Sequence, residues 1–339
     1  MSANVRPAPM PPRRKVWVLP RPILSERFML PEEIADARSK RYNGTVAHIR
    51  KAHADLMVLR IKPDFPRPAH RAGQYCTLGL GNWEPRVPGT QAENLKPGDE
   101  AKVVRRAYSI SCTIIDDADA VVDVAATDFI EFYITLVREG SDPAKPPALT
   151  PRLFMLREGD RVSVGEKITG HYNLEHVKPK DTVIFLGTGT GEAPHNYMTW
   201  ELLKNGHQGK ILQANCVRLK NDLAYLDTHR RIMAKYPNYH YLALTTREAD
   251  TLTHKVYIQD LITGGQLEST LGQKLDPAGT HVFLCGNPKM IGVPEKNKET
   301  GERFYPKPLG VIEILEGRGF VVDNNAAKIK GNIHFEEYW

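Results

Sequence analysis

Cysteine is scarce in this chain and never paired in sequence: Cys76, Cys112, Cys216 and Cys285 lie far apart, with no CxxC spacing. That spacing excludes an iron–sulfur ligand run, so the chain supplies no cluster of its own and any one-electron carrier must come from outside. Wide spacing without a signal-peptide core points to reduced thiols and a cytoplasmic setting. No apolar run approaches the ~20 residues that span a bilayer, so membrane insertion is not expected. Acidic residues are absent from Met1 to Ser25, which carries Arg6, Arg13, Arg14, Lys15 and Arg21 among six prolines. This start lacks the apolar core of a signal peptide and the Ser-rich pattern of a transit peptide. It reads as a solvated, partly flexible extension, with a partner-docking arm as the alternative. The formal charge of +6 is mild and spread out, and no nucleic-acid partner is expected.

What is present divides into two textures. A length of 339 residues suggests about two domains at ~150 residues each. Residues 1–41 form the extension, within which Pro31 to Arg41 predicts a short helix, followed by an Asn43-Gly44 turn. From Thr45 the chain runs in short alternating stretches: TVAHIRKA, DLMVLRIK, QYCTLGL, AYSISCTI and FIEFYITLV, with Val162 to Gly165 as a further strand. Regularly spaced short strands predict an antiparallel barrel or sandwich over 42–178. After Pro179 the strands TVIFLG, KILQANCV, YHYLALTT and HVFLCG alternate with helical patterning such as LAYLDTHRRIMAKY. That alternation predicts a doubly wound parallel sheet over 179–339.

The densest signal is V-I-F-L-G-T-G-T-G-E-A-P at Val183 to Pro194. An apolar strand, then Gly187, Thr188, Gly189, Thr190 and Gly191, then a helix over His195 to Lys204, is the arrangement that brings backbone N–H groups to a phosphate. Pro194 fits the first turn of that helix. The spacing is not GxGxxG, and alone it is equally compatible with a structural turn. In the first domain, Arg106-Ala107-Tyr108-Ser109 lies in a predicted strand, with Arg106 and Tyr108 on one face and Ala107 and Ser109 on the other. A guanidinium beside a phenol can hold a phosphate and stack on an aromatic ring.

Taken in order, R-A-Y-S, F-Y-I-T-L-V at Phe132 to Val137, L-T-P-R-L at Leu149 to Leu153, G-T-G-T-G-x-A-P, T-T-R-E at Thr245 to Glu248, C-G-N-P-K-M at Cys285 to Met290 and the terminal E-E-Y-W resemble the ferredoxin–NADP⁺ reductases. The nearest likeness is to the bacterial ferredoxin/flavodoxin reductases that end in Tyr-Trp. The resemblance covers roughly Tyr42 to Trp339, with an apparent insertion at Glu84 to Val104. It implies an antiparallel β-barrel FAD-binding domain followed by an α/β NADP-binding domain, and electron transfer between NADP(H) and ferredoxin or flavodoxin. A monomeric protein is expected.

The resemblance also implies roles. Arg106 would hold the FAD pyrophosphate, Tyr108 would stack on the isoalloxazine, and Ser109 would sit at the flavin nitrogen that accepts hydride. Tyr133 and Thr150 would complete the flavin cradle; Arg152 in the same turn is open to a surface role. Tyr338 would cover the opposite flavin face and Trp339 would stack on the adenine. Residues Gly187 to Gly191 would meet the NADP(H) pyrophosphate. Thr246, Arg247 and Lys255 would serve the adenosine end, where arginine and hydroxyl groups favour a 2′-phosphate, and Arg218 matches a family arginine that reaches the bound dinucleotide. Cys285 would lie beside the nicotinamide with Met290 nearby, and Glu336 matches a carboxylate used for proton transfer.

Two features depart from the family pattern. Glu192 stands where relatives usually carry an aliphatic residue, and a negative charge near a pyrophosphate is unfavourable unless it points away or meets a base. His195 is the candidate base by proximity in sequence. The other departure is the insertion, which could alter FAD conformation or partner docking. Competing readings are a reductase component serving an oxygenase, an NADH-preferring reductase, and a nucleotide-binding regulatory protein without turnover.

Overall fold

A computed structural model describes residues 29–324 and 327–338. The first 28 residues of the extension and Trp339 lie outside the described residues. Helix α1 (Pro31–Arg41) forms as expected: Pro31 opens it, Glu32 and Glu33 occupy its first turn and Arg38, Lys40 and Arg41 its last. Those charges complement the helix dipole at both ends.

Six strands close an antiparallel barrel: β1 (Gly44–His53), β2 (Leu56–Pro63), β3 (Tyr75–Gly81), β4 (Val103–Ser111), β5 (Ile130–Thr135) and β6 (Arg161–Val164). Their order around the barrel is β1-β2-β5-β4-β3-β6. A one-turn helix α2 (Thr150–Leu153) lies between β5 and β6. Strand β4 pairs with β3 from Val103 to Ser109 but with β5 only at Ile110 and Ser111. Arg106 to Ser109 therefore lie where the barrel wall parts, with one backbone edge unpaired by a neighbouring strand among the described residues.

The second half holds β7 (Thr182–Thr188), α3 (Glu192–Lys204), β8 (Ile211–Val217), α4 (Leu226–Lys235) and β9 (Tyr239–Thr245). These are followed by α5 (Ile258–Thr263), α6 (Gln266–Leu271), β10 (Thr280–Gly286) and α7 (Pro288–Ile291). A small hairpin, β11 (Glu295–Lys296) and β12 (Arg303–Phe304), then leads to α8 (Val311–Glu316) and β13 (Ile333–Glu337). The parallel order is β13-β10-β7-β8-β9. Both faces of the sheet are covered, as near-continuous apolar strands require. Val183 and Phe185 join the core shared with the barrel and α3, whereas Ile184 and Leu186 pack with residues of α5, α6 and α8.

The chain runs outward from β7 through β8 to β9, then returns to the other side of β7 as β10. The order thus reverses between β7 and β10, the crevice where doubly wound sheets bind ligands. Two details differ from expectation. Helix α3 begins at Glu192, three residues early, because the glycine turn passes into it without a break. Strand β13 was not expected, since Ile-His-Phe-Glu-Glu carries too many polar residues to read as a buried strand.

Candidate active site

A cleft of about 1250 Å³ separates the barrel from the carboxyl edge of the sheet. Its walls include Tyr133, Thr135 and Leu136 from the barrel, Thr188 to Thr190, Arg218 and Arg247 from the sheet domain, and Tyr338 between them. Outside the residues that line it, Ser109 Oγ donates to Glu336 Oε2 at 2.8 Å, joining β4 to β13 two residues before Tyr338. Cys285 is fully buried and stands in register between Gly187 on β7 and Glu336 on β13. Burial pushes its thiol well above the ordinary range, and Glu336 adds to the shift. The Glu336 carboxyl is itself raised by burial and drawn back by the Ser109 hydrogen bond. Tyr338 donates its backbone N–H to Gly286 O at 3.1 Å, and its phenol is held in the protonated form by burial.

The glycine turn occupies the β7/β10 crevice. Gly189 has φ +56°, in the left-handed region that glycine adopts without strain. At Gly191 an added Cβ would come 2.2 Å from the Cys285 carbonyl oxygen, so only glycine lets the two backbones meet. Thr188 Oγ1 accepts from the Asn287 N–H at 2.7 Å, tying the turn to the Cys285–Met290 segment. Buried Met290 lines the same cleft. Along the far wall, Arg247 N–H donates to the Arg218 carbonyl at 2.8 Å, and Thr246 Oγ1 donates to Val217 O at 3.1 Å. Two arginines and a threonine are thereby gathered at one end of the cleft.

A family model described as the oxidoreductase NAD-binding domain matches residues 185–296. The chain is 31% identical over 213 residues to the flavodoxin/ferredoxin–NADP reductase of Escherichia coli, covering 61% of this chain and 77% of that one. The chain belongs to the flavodoxin/ferredoxin–NADP reductase family. The corresponding reductase of Buchnera aphidicola is 24% identical over 298 residues, which is 88% of this chain and 98% of that one. Among solved structures, a ferredoxin NADP⁺ reductase from Neisseria gonorrhoeae with bound FAD and NADP superposes with a TM-score of 0.60 at 19% identity, over 87% of this chain and 97% of that one. An Amycolatopsis cytochrome P450 reductase gives 0.54 at 20%, covering 87% of this chain and 69% of that one. These structural likenesses concern the fold.

Within the reductase fold, the residues expected at the site divide. Tyr108 is half-buried at the parted wall and meets Phe132 edge-on at 6.5 Å. Arg106 is exposed, donates only to the Arg105 carbonyl and has no carboxylate partner among the described residues. Lys255 is exposed and does not line the cleft. Thr150 does not line it either; its hydroxyl accepts the Val137 N–H at 3.1 Å and holds the β5–α2 connection. Tyr133 does reach the cleft, but its hydroxyl donates to the Asp222 carbonyl at 2.9 Å and its ring meets Tyr225 edge-on. It bridges the two domains.

Two questions left open by the sequence are decided here, and one candidate is corrected. Arg152 is not a surface charge: it is 2% exposed and forks onto Glu93 at 3.0 and 2.7 Å. Glu93 also meets Arg86 at 2.9 Å, and both belong to the insertion, so this segment folds down over the α2 turn. Glu192 is directed away from the glycine turn, toward β9 and α4. It is fully buried, and its Oε1 accepts from Tyr241 Oη at 2.7 Å. Nor is His195 its base: the His195 Nε2 pairs with Tyr172 Oη at 2.8 Å, and burial pushes the ring down to about 3, so it stays neutral. The base beside Glu192 is His229, with Nε2 3.2 Å from Oε1. Sequence reasoning also missed Tyr257 and Lys289, which line the cleft. Lys289 had a signal, lying inside C-G-N-P-K-M; Tyr257 had only its place just before α5.

Proposed function

We propose that this protein transfers electrons between NADP(H) and ferredoxin or flavodoxin through an FAD held at the interdomain cleft. The observation that carries the reading is the meeting of Ser109 from the barrel with Glu336, Cys285 and Tyr338 from the sheet domain, at the crevice where the sheet order reverses. The residues fit the cofactors. The parted wall at Arg106 to Ser109 leaves a guanidinium, a phenol and a free backbone edge for FAD. Close backbone approach at Gly191 and the adjoining start of α3 suit a pyrophosphate.

When bound, the flavin takes two electrons from NADPH as a hydride and releases them one at a time. The chain's part is positioning and proton handling. Ser109 and Glu336 hold a hydrogen-bonded pair in which the buried carboxylate can take a proton through the serine hydroxyl. Tyr338 lines the cleft with buried Cys285 beside it, and these two side chains would border the place where nicotinamide and flavin would meet. Arg247, Arg218 and Thr246 are assigned to the 2′-phosphate end, where a charged fork pairs well with phosphate oxygens. Lys255 could join them only by moving inward, and Trp339 keeps the role of covering the adenine. The reading includes a monomer in the cytoplasm; the four cysteines are buried and unpaired, as reduced thiols would be.

The test is reduction of a panel of ferredoxins and flavodoxins by the purified protein with NADPH. The expected outcome is a yellow protein that reduces at least one carrier and prefers NADPH to NADH. A colourless protein that stays colourless with added FAD would overturn the reading.

A further inference from the structure

Glu192 is an unusual residue for its position, and the structure shows what surrounds it. It is the first residue of α3, directly after Gly191 of the phosphate turn, and it does not line the cleft. Its Oε1 accepts from Tyr241 Oη on β9 and lies 3.2 Å from His229 Nε2 on α4. The His229 ring stacks on Tyr241 at 4.0 Å with 12° between planes, and its Nδ1 meets Tyr239 Oη at 2.8 Å. Tyr239 Oη lies 3.2 Å from Gln213 Oε1 on β8, which also accepts from Thr199 Oγ1 at 2.9 Å. Gln213 Nε2 donates to Asn196 Oδ1 at 3.0 Å, returning the circuit to α3. Glu192, Asn196, Thr199, Gln213 and His229 are all fully buried.

On the Glu192 side, the Tyr241 hydroxyl donates the hydrogen bond to Oε1, while His229 Nε2 lies alongside at 3.2 Å without hydrogen-bond alignment. His229 Nδ1 pairs with Tyr239 Oη. The carboxylate is thus held at the end of α3 whose dipole favours it. A buried carboxylate is costly unless held this way, and well-packed apolar residues are often at least as stable. Directional bonds do something apolar packing does not: they fix the rotation of a helix end against its neighbours. Here the fixed end is the residue that leaves the phosphate turn.

We propose that Glu192, held by Tyr241 beside His229, is a positioning residue that sets the glycine turn in its pyrophosphate-binding shape. The proposal rests on the reading that the cleft binds NADP(H). The anchor lies behind the turn, so its charge is directed to α4 and β9 while its backbone is directed to the ligand. It also explains how a carboxylate can follow a phosphate turn without opposing it.

The experiment compares two ligands on the intact flavoprotein by calorimetry: NADP⁺, which has the pyrophosphate, and adenosine 2′-monophosphate, which lacks it. Removing the acceptor of the buried Tyr241 hydroxyl, and the carboxylate beside His229, predicts that Glu192→Leu weakens NADP⁺ by about tenfold or more. Adenosine 2′-monophosphate should change by less than about twofold, because nothing at the Arg247 end loses a partner. Glu192→Gln keeps an acceptor for Tyr241 and should stay near wild type. Tyr241→Phe removes one donor without enlarging the site and should weaken NADP⁺ by several-fold, which keeps the test open if Glu192→Leu does not fold. Unchanged NADP⁺ affinity in Tyr241→Phe or Glu192→Leu overturns the proposal. So does equal loss for both ligands, which means general distortion, or a Gln variant as weak as Leu, which means charge alone matters. Wild-type protein that binds neither ligand would instead sink the reading of the cleft.

Discussion

Ser109 and Glu336 are 227 residues apart in sequence and 2.8 Å apart in space, and their pairing has a measurable consequence. Burial raises the Glu336 carboxyl, and the serine hydrogen bond is the contact that lowers it. Ser109→Ala should therefore raise the carboxyl further. If the carboxylate accepts the proton during turnover, activity falls as pH drops through its pKa, so the acid limb of the pH–kcat profile should move to higher pH. We expect kcat to fall by about 10²-fold, the lower end for a positioned acid–base group. An acid limb that does not move would remove Glu336 from the proton path. At the other end of the cleft, Arg247→Ala should raise KM for NADPH by about 10- to 100-fold, as for loss of a charged hydrogen bond. KM for NADH should stay nearly constant, and equal effects on both would refute the 2′-phosphate role.

The segment from Glu84 to Val104, an apparent insertion in the sequence, acts as a strap. Glu84 takes a bidentate hydrogen bond from Arg38 of α1 at 2.8 and 2.6 Å and a third from Tyr42 Oη at 2.8 Å. Further along, Glu93 neutralises the buried Arg152 of α2. One insertion thus ties α1 and the α2 turn to the barrel. Removing one partner of a buried pair leaves an uncompensated charge, which costs about 3–5 kcal/mol. Glu93→Ala should accordingly lower the thermal midpoint by many degrees, whereas an exposed pair such as Lys40–Asp36 should hardly matter when broken. Comparable midpoints for Glu93→Ala and Asp36→Ala would show that the strap does not support the barrel.

At the scale of the whole molecule, the two domains share one apolar core. Ile61 and Ile110 of the barrel belong to the same buried cluster as Phe185, Met198 and Tyr239 of the sheet domain. Polar links cross the seam as well: Tyr225 Oη to buried Glu131 at 3.2 Å, and Trp200 Nε1 to the Val122 carbonyl at 2.7 Å. Such a shared core predicts a single cooperative transition, so denaturation followed by flavin fluorescence and by circular dichroism should coincide. Two separated transitions would mean that the seam does not couple the domains. Removing Tyr338 and Trp339 should leave that transition in place, because Tyr338 faces the cleft. Discrimination against NADH or retention of FAD should weaken instead.

Sequence by itself determined the elements whose signal is local. Pro31 and the charges of α1, the alternation of β1 and β2, and the apolar runs of β7, β8 and β10 depend only on residues within a few positions of one another. The motif order was legible for the same reason, and it brought Ser109, Gly187 to Gly191, Arg247 and Cys285 into view before any coordinates. Tertiary structure alone decided which side chains meet. Glu192 passed over His195, three residues away on its own helix, for Tyr241 and His229; Arg152 found Glu93 inside an insertion; and Ile333 to Glu337 became a strand because β10 offered an open edge. A backbone pattern is set by local sterics and burial, but the partner of a buried charge is set by whatever distant group the fold brings within hydrogen-bond reach.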